Sequence, residues 1–152
     1  MGRPRFLADE MLGSLARWLR IIGYDTDYVR NLKDTAVLEQ ARREDRILLT
    51  RDHQLAERAG DRGLLLTNAH LDKQLSQVSA AYGIVFDEPM TRCTLCNGPL
   101  SRAEAGTVTG KVPERVRRSH DEFFVCQSCG QVYWKGTHWD RINERLARTL
   151  RP

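Results

Sequence analysis

Asp9 and Asp52 each follow a short apolar run and precede a stretch of helical spacing, and Asp34 opens the helical stretch between them. Taken singly, each reads as a helix N-cap, which contributes only about 1 kcal/mol. Taken together they read differently. In an open parallel sheet every strand ends on the same edge, and ligands bind there. Asp9 and Asp52 are expected to meet on that edge, with Asp34 beside them. Converging carboxylates repel unless a cation lies between them, and hard oxygen ligands suit Mg²⁺ or Mn²⁺. Such ions hold phosphoryl oxygens, prepare a water nucleophile and stabilise the leaving oxygen, which is the chemistry of phosphodiester hydrolysis. The same acids would also serve phosphoacceptor or phosphatase chemistry, so they do not choose the substrate.

The second constellation is Cys93-x-x-Cys96 and Cys126-x-x-Cys129. Two C-x-x-C knuckles match a tetrahedral zinc site closed by four thiolates, and a closed site is structural rather than catalytic. Asn97-Gly98 and Gly130 follow the second cysteine of each pair, residues that favour the turn a knuckle needs. A disulfide framework is the alternative, and a reducing compartment argues against it.

These residues need elements to hold them. Arg5–Ala8 is a short apolar strand. Leu12, Leu15, Ala16, Leu19 and Ile22 then recur at helical spacing, and Gly23 closes that helix. Residues 25–29 read as a second strand, followed by a helix from Asp34 through Val37, Leu38 and Ala41. Ile47–Thr50 is a buried strand leading to a helix with Leu55, Ala56 and Ala59. Leu64–Thr67 is another, leading to a helix with Leu71, Leu75, Val78 and Ala81. Gly83–Phe86 is expected to add one last strand. This alternation predicts an α/β fold, a parallel sheet with helices on both faces. Pro89 begins the linker, so the chain divides into an α/β domain over residues 1–89 and a cysteine module with a basic C-terminal helix over 90–152. No G-x-G-x-x-G, G-x-x-x-x-G-K-[ST] or G-x-S-x-G motif occurs, which argues against a dinucleotide site, a P-loop and a nucleophile elbow.

At 152 residues the chain is long enough for one real core. With 41% hydrophobic and 29% charged residues it is neither disordered nor fibrous. Its apolar runs are too short to span a bilayer, and residues 1–6 lack an apolar signal core, so the expected compartment is the cytoplasm. The net charge of +4 is uneven: residues 1–90 carry 13 basic and 14 acidic side chains, and residues 91–152 carry 11 and 6. A basic C-terminal third is either a solvated surface or a polyanion-binding one.

Residues 5–26, RFLADEMLGSLARWLRIIGYDT, resemble the opening of the mut-7 C-terminal RNase family, which belongs to the PIN-like nucleases. Residues 45–52, DRILLTRD, resemble its central strand and acidic turn, and the cysteine pairs ending in CGQVYWKGTH resemble its zinc ribbon. The resemblance implies a PIN-like fold and metal-dependent ribonuclease activity, with Asp9, Asp34 and Asp52 as the first three acids. It places a fourth acid after the next strand, where Asn68 stands, with Asp72 one turn later. Asp25 and Asp27 are spare candidates, and Glu39 is an alternative to Asp34.

Against this background the basic residues gain meaning. The chain has 20 Arg and only 4 Lys, and guanidinium binds phosphate bidentately. Arg17 and Arg20 are expected on the exposed side of the first helix, Arg51 beside Asp52, and Arg115, Arg117 and Arg118 in a run between the cysteine pairs. Tyr133, Trp134, Lys135, His138 and Trp139 interleave rings with charge, as single-strand stacking surfaces do; Tyr133 and Trp134 read equally as packing for the small module. The expectation is a ribonuclease acting on single-stranded RNA, with catalytic Mg²⁺ or Mn²⁺ and structural zinc. The alternatives are a non-catalytic RNA-binding protein and a PIN-type toxin.

Overall fold

The computed structural model describes residues 2–86 and 91–150. The linker expected at Pro89 lies outside the described residues. Four short strands, β1 (Phe6–Ala8), β2 (Thr26–Tyr28), β3 (Ile47–Thr50) and β4 (Gly63–Leu65), form a parallel sheet in the order β2-β1-β3-β4. The helices α1 (Gly13–Ile22), α2 (Asp34–Arg43), α3 (His53–Ala59) and α4 (Leu71–Tyr82) alternate with the strands. This is the expected α/β architecture. α1 stops where Gly23 takes the left-handed conformation (φ 109°) and donates to the carbonyls of Leu19 and Arg20; a Cβ would oppose that backbone.

Strand alternation sends Phe6, Ala8 and Leu49 into one core, with Leu15 and Leu19 of α1 and Leu75 and Val78 of α4. Leu7 and Leu48 point to the other face, against Val37, Ala41 and Leu55 of α2 and α3. Both faces are covered, as a parallel sheet requires.

The segment Gly83–Phe86 forms no strand, contrary to expectation. Its polar groups find other partners. Val85 N–H donates to Tyr24 Oη (2.9 Å), and Val85 carbonyl accepts from Arg3. Ile84 is buried, and Phe86 meets the ring of Trp139 edge-on.

The second sheet is antiparallel: β5 (Leu100–Ala103), β6 (Phe123–Cys126) and β7 (Val132–Tyr133), in that order. A short helix, α5 (Glu114–Ser119), lies in the connection from β5 to β6, and Val108, Val112, Phe123 and Val132 make its own small core. The last helix, α6 (Trp139–Thr149), returns to the first sheet. Leu146 is buried in the α1–α4 core, and Arg145 Nε meets Asp72 of α4 at 2.8 Å. Helix α6 therefore belongs to the core of the parallel sheet, although it follows the cysteine module in the chain.

The cysteine module also docks on the edge strand β2. Asn97, in the left-handed region at φ 71°, accepts from the Thr26 N–H (2.9 Å) and donates to Asp25 Oδ1 (2.6 Å). A side-chain amide thus covers an edge N–H that would otherwise invite another strand.

Candidate active site and metal centre

Register puts Asp9 beside Thr50. Ala8 pairs with Leu49, and Asp9 N–H donates to Leu49 carbonyl (3.0 Å). Thr50 is fully buried and joins two acids. Its Oγ1 donates to Asp9 Oδ2 (3.0 Å) and accepts the N–H of Asp52 (3.0 Å). Asp9 Oδ1 accepts from Glu10 N–H, and Asp52 Oδ1 accepts from Leu55 N–H as the N-cap of α3. Both acids are caps, and both stand on the strand-end edge. Sequence reasoning passed over Thr50; its only signal is a hydroxyl closing an apolar run just before Arg51-Asp52.

Asp34 opens α2 on the same edge but faces α3, 3.9 Å from Arg58 Nη1. Among the described residues, the four cysteines are the only set of three or more Cys, His, Asp or Glu whose ligand atoms lie within 4.8 Å of one another. The three aspartates share an edge without closing into one cluster. Arg51, beside Asp52, has a buried Nε with no hydrogen-bond partner.

The spare acids have other employment. Asp25 precedes β2, at the opposite edge, and gathers Arg46 (2.8 Å), Arg5 (3.2 Å) and Asn97 around it. Burial alone would raise its pKa; the bonds from Arg46 and Asn97 outweigh that and bring it down to about 2. Asp27 accepts from Gln40 of α2, Glu39 pairs with Arg42, and Asp72 pairs with Arg145. Asn68 follows β4, with its Oδ1 accepting the His70 N–H in a local turn.

The cysteine sulfurs form a compact group. Cys93 to Cys129 is 3.7 Å and Cys96 to Cys126 is 3.4 Å, too long for disulfides, and all four are free thiols. Four sulfurs about 2.3 Å from a central zinc would stand roughly 3.8 Å apart, so the donor set fits that ion. The knuckle backbones shape the group: Ser128 and Cys129 N–H groups point at Cys126 Sγ (3.3 and 3.4 Å). Burial opposes ionisation of Cys126, but these N–H groups win and hold its thiol down to about 6. Tyr133 Oη lies 3.0 Å from Cys93 Sγ; burial and that sulfur push the phenol up to about 12, so it stays protonated. Gly98 is required by space: a Cβ there would come within 2.9 Å of Cys126 Sγ and 2.7 Å of Ser128 Oγ.

Of the basic candidates, Arg20 departs from expectation. It is buried, not exposed. Its guanidinium donates to the carbonyls of Thr26 (2.8 Å), Thr94 (3.0 Å) and Leu95 (3.3 Å), clamping α1 to the first knuckle. Burial lowers its pKa, with Asp27 and the cysteines pulling the other way. Arg17 and Arg115 are exposed. Arg117 and Arg118 both pair with Glu114, and Lys135 is half-buried.

Fold and site together define the class: an α/β protein with acids on the strand-end edge of a parallel sheet and a four-cysteine cluster able to hold zinc. The family is narrower. The model of the Mut7-C RNAse domain matches residues 4–146, and the chain belongs to that family of ribonuclease domains. No curated protein and no solved structure matches the chain.

Proposed function

We propose that the protein is a divalent-metal-dependent ribonuclease of PIN-like type that hydrolyses phosphodiester bonds in single-stranded RNA. The observation that carries this reading is the Asp9–Thr50–Asp52 bridge at the strand-end edge, in a chain of a ribonuclease family. The donor chemistry fits Mg²⁺ or Mn²⁺. Carboxylate oxygens keep further lone pairs after accepting one hydrogen bond, and no hydrogen bond falls on Asp52 Oδ2 among the described residues. Bound there, the ion supplies Lewis-acid chemistry to a phosphoryl oxygen and to water.

The chain's own residues supply the rest. Thr50 fixes the spacing of Asp9 and Asp52. Asp34 completes the acidic edge once its carboxylate turns from Arg58. Among the described residues Arg51 has no ion-pair partner, so its guanidinium would meet a phosphate, and Asn68 stands in the fourth-acid position as a weaker, neutral ligand. Cys93, Cys96, Cys126 and Cys129 hold a structural zinc, and Arg17, Arg115, Arg117, Arg118 and Lys135 offer charge to the RNA backbone. Arg20 is left out because it is buried and its Nε and Nη1 are bonded to carbonyls.

A second reading, a non-catalytic RNA-binding protein, is favoured by the caps at Asp9 and Asp52 and by the Asp34–Arg58 pair. Metal titration of cleavage separates the two. Labelled single-stranded RNA should be cut with Mn²⁺ or Mg²⁺ and left intact without them. RNA bound but uncut at every metal concentration selects the second reading.

A further inference from the structure

Two clefts share Trp134 and His138. The first, about 110 Å³, lies between α1 and the cysteine module and includes Arg17, Arg92, Trp134, His138 and Trp139. The second, about 500 Å³, lies toward α5 and includes Arg115, His120, Trp134 and His138. Trp134 packs partly against the Val108–Phe123 core and takes part in the walls of both clefts. Trp139 is held by Phe86, with ring centroids 6.0 Å apart.

We infer that these clefts form one path for a single-stranded RNA, with bases stacking at Trp134 and Trp139 and phosphates met by Arg17 at one end and Arg115 at the other. The inference rests on the ribonuclease reading for its direction: the path leads toward the acidic edge. Arg17 is four residues from Gly13, roughly 6 Å of helix rise, so the first cleft begins about one turn of α1 from the end that follows Asp9. A strand leaving the acidic edge along α1 therefore reaches Arg17 first, then Trp134.

Charge and shape favour this occupant. Among the described residues no carboxylate pairs with Arg17 or Arg115, so both guanidinium groups are available to phosphate. A single strand offers unstacked bases to flat aromatic faces at about 1–3 kcal/mol per base, and a duplex keeps its bases inside. Gly136 also matters to the shape: a Cβ there would stand 3.1 Å from Trp134 Nε1 and 3.3 Å from the His138 ring.

The test is a fluorescence titration of the whole zinc-loaded chain with a uridine heptamer RNA, without Mg²⁺ or Mn²⁺. Two of the three tryptophans line the path, so stacking should quench the intrinsic emission. Arg17→Glu and Arg115→Glu, both surface changes, should each weaken binding about tenfold and shrink its salt dependence. Trp134→Phe keeps a ring in the core and should lose roughly half of the quench, the remainder coming from Trp139. A duplex of the same length should quench little. Wild-type affinity in both arginine variants, or an undiminished quench in Trp134→Phe, overturns the path. Equal quenching by an acidic peptide of matched charge also overturns it and marks a protein-docking cleft. Cleavage is read separately: a quenching chain that never cuts RNA leaves the path standing and removes the ribonuclease reading, whereas a cutting chain whose RNA affinity is unchanged in both arginine variants removes the path alone.

Discussion

Thr50 joins the two acids of the strand-end edge. Its buried hydroxyl donates to the carboxylate of Asp9 and accepts from the backbone of Asp52, so it sets the spacing of the two residues. Thr50→Val keeps the shape and removes both bonds. It should cost about 1–3 kcal/mol in urea unfolding, because Asp52 N–H loses its partner, and should slow cleavage more than it weakens RNA binding. Unchanged cleavage would show that the bridge does not position the acids. Asp25 acts instead on stability. Its folded pKa of about 2 lies below the ordinary 3.8, so its contribution is present above pH 3.8 and is lost as the pH falls toward 2. That contribution is about 1–2 kcal/mol once solvent screening is allowed for. Asp25→Asn should remove this part of the acid dependence and lower stability by about 1–2 kcal/mol at neutral pH, because Arg46 keeps its pair with Glu44 at 2.7 Å. A matching pair of acid-unfolding curves would contradict the hub.

Much of the element scale was legible. Alternating apolar runs and helical spacing give β1 to β4 and α1 to α4 within a residue or two, because these elements bury their faces locally on one sheet. The failures have non-local causes. Arg20 sits at the border of the apolar stripe of α1, and what buries it is a knuckle more than seventy residues away, which periodicity within α1 cannot signal. Gly83–Phe86 has strand-like residues, but its backbone is satisfied by Tyr24 and Arg3 side chains. The cysteine spacing announced a metal site directly, since chemistry and not packing sets it. The need for Gly98 was hidden, because it depends on Ser128 and Cys126 approaching from the second knuckle. Gly98→Ala should therefore lower zinc content and affinity, measured by metal analysis and competition with a chelating dye. Full zinc loading would contradict the close approach.

Across the whole molecule, the cysteine module is not an appendage. The first knuckle covers the edge of β2, Arg20 clamps α1 to it, and α6 buries Leu146 in the α/β core. Structural zinc in such knuckles contributes on the order of 10–16 kcal/mol to folding. Removing it should lower the melting temperature of the α/β domain too, and both sheets should unfold in one transition by circular dichroism and tryptophan emission. Two separate transitions, with the α/β domain unmoved by chelation, would contradict that coupling. The most direct measurement of catalysis compares the wild-type chain with Asp52→Asn on labelled single-stranded RNA across a Mn²⁺ titration. Asparagine caps a helix about as well as aspartate, so the variant should fold and bind RNA like the parent. Cleavage should appear with Mn²⁺ in the wild type and fall at least a hundredfold in the variant, about 2.7 kcal/mol of transition-state stabilisation. Equal, metal-independent cleavage by both chains would contradict the account.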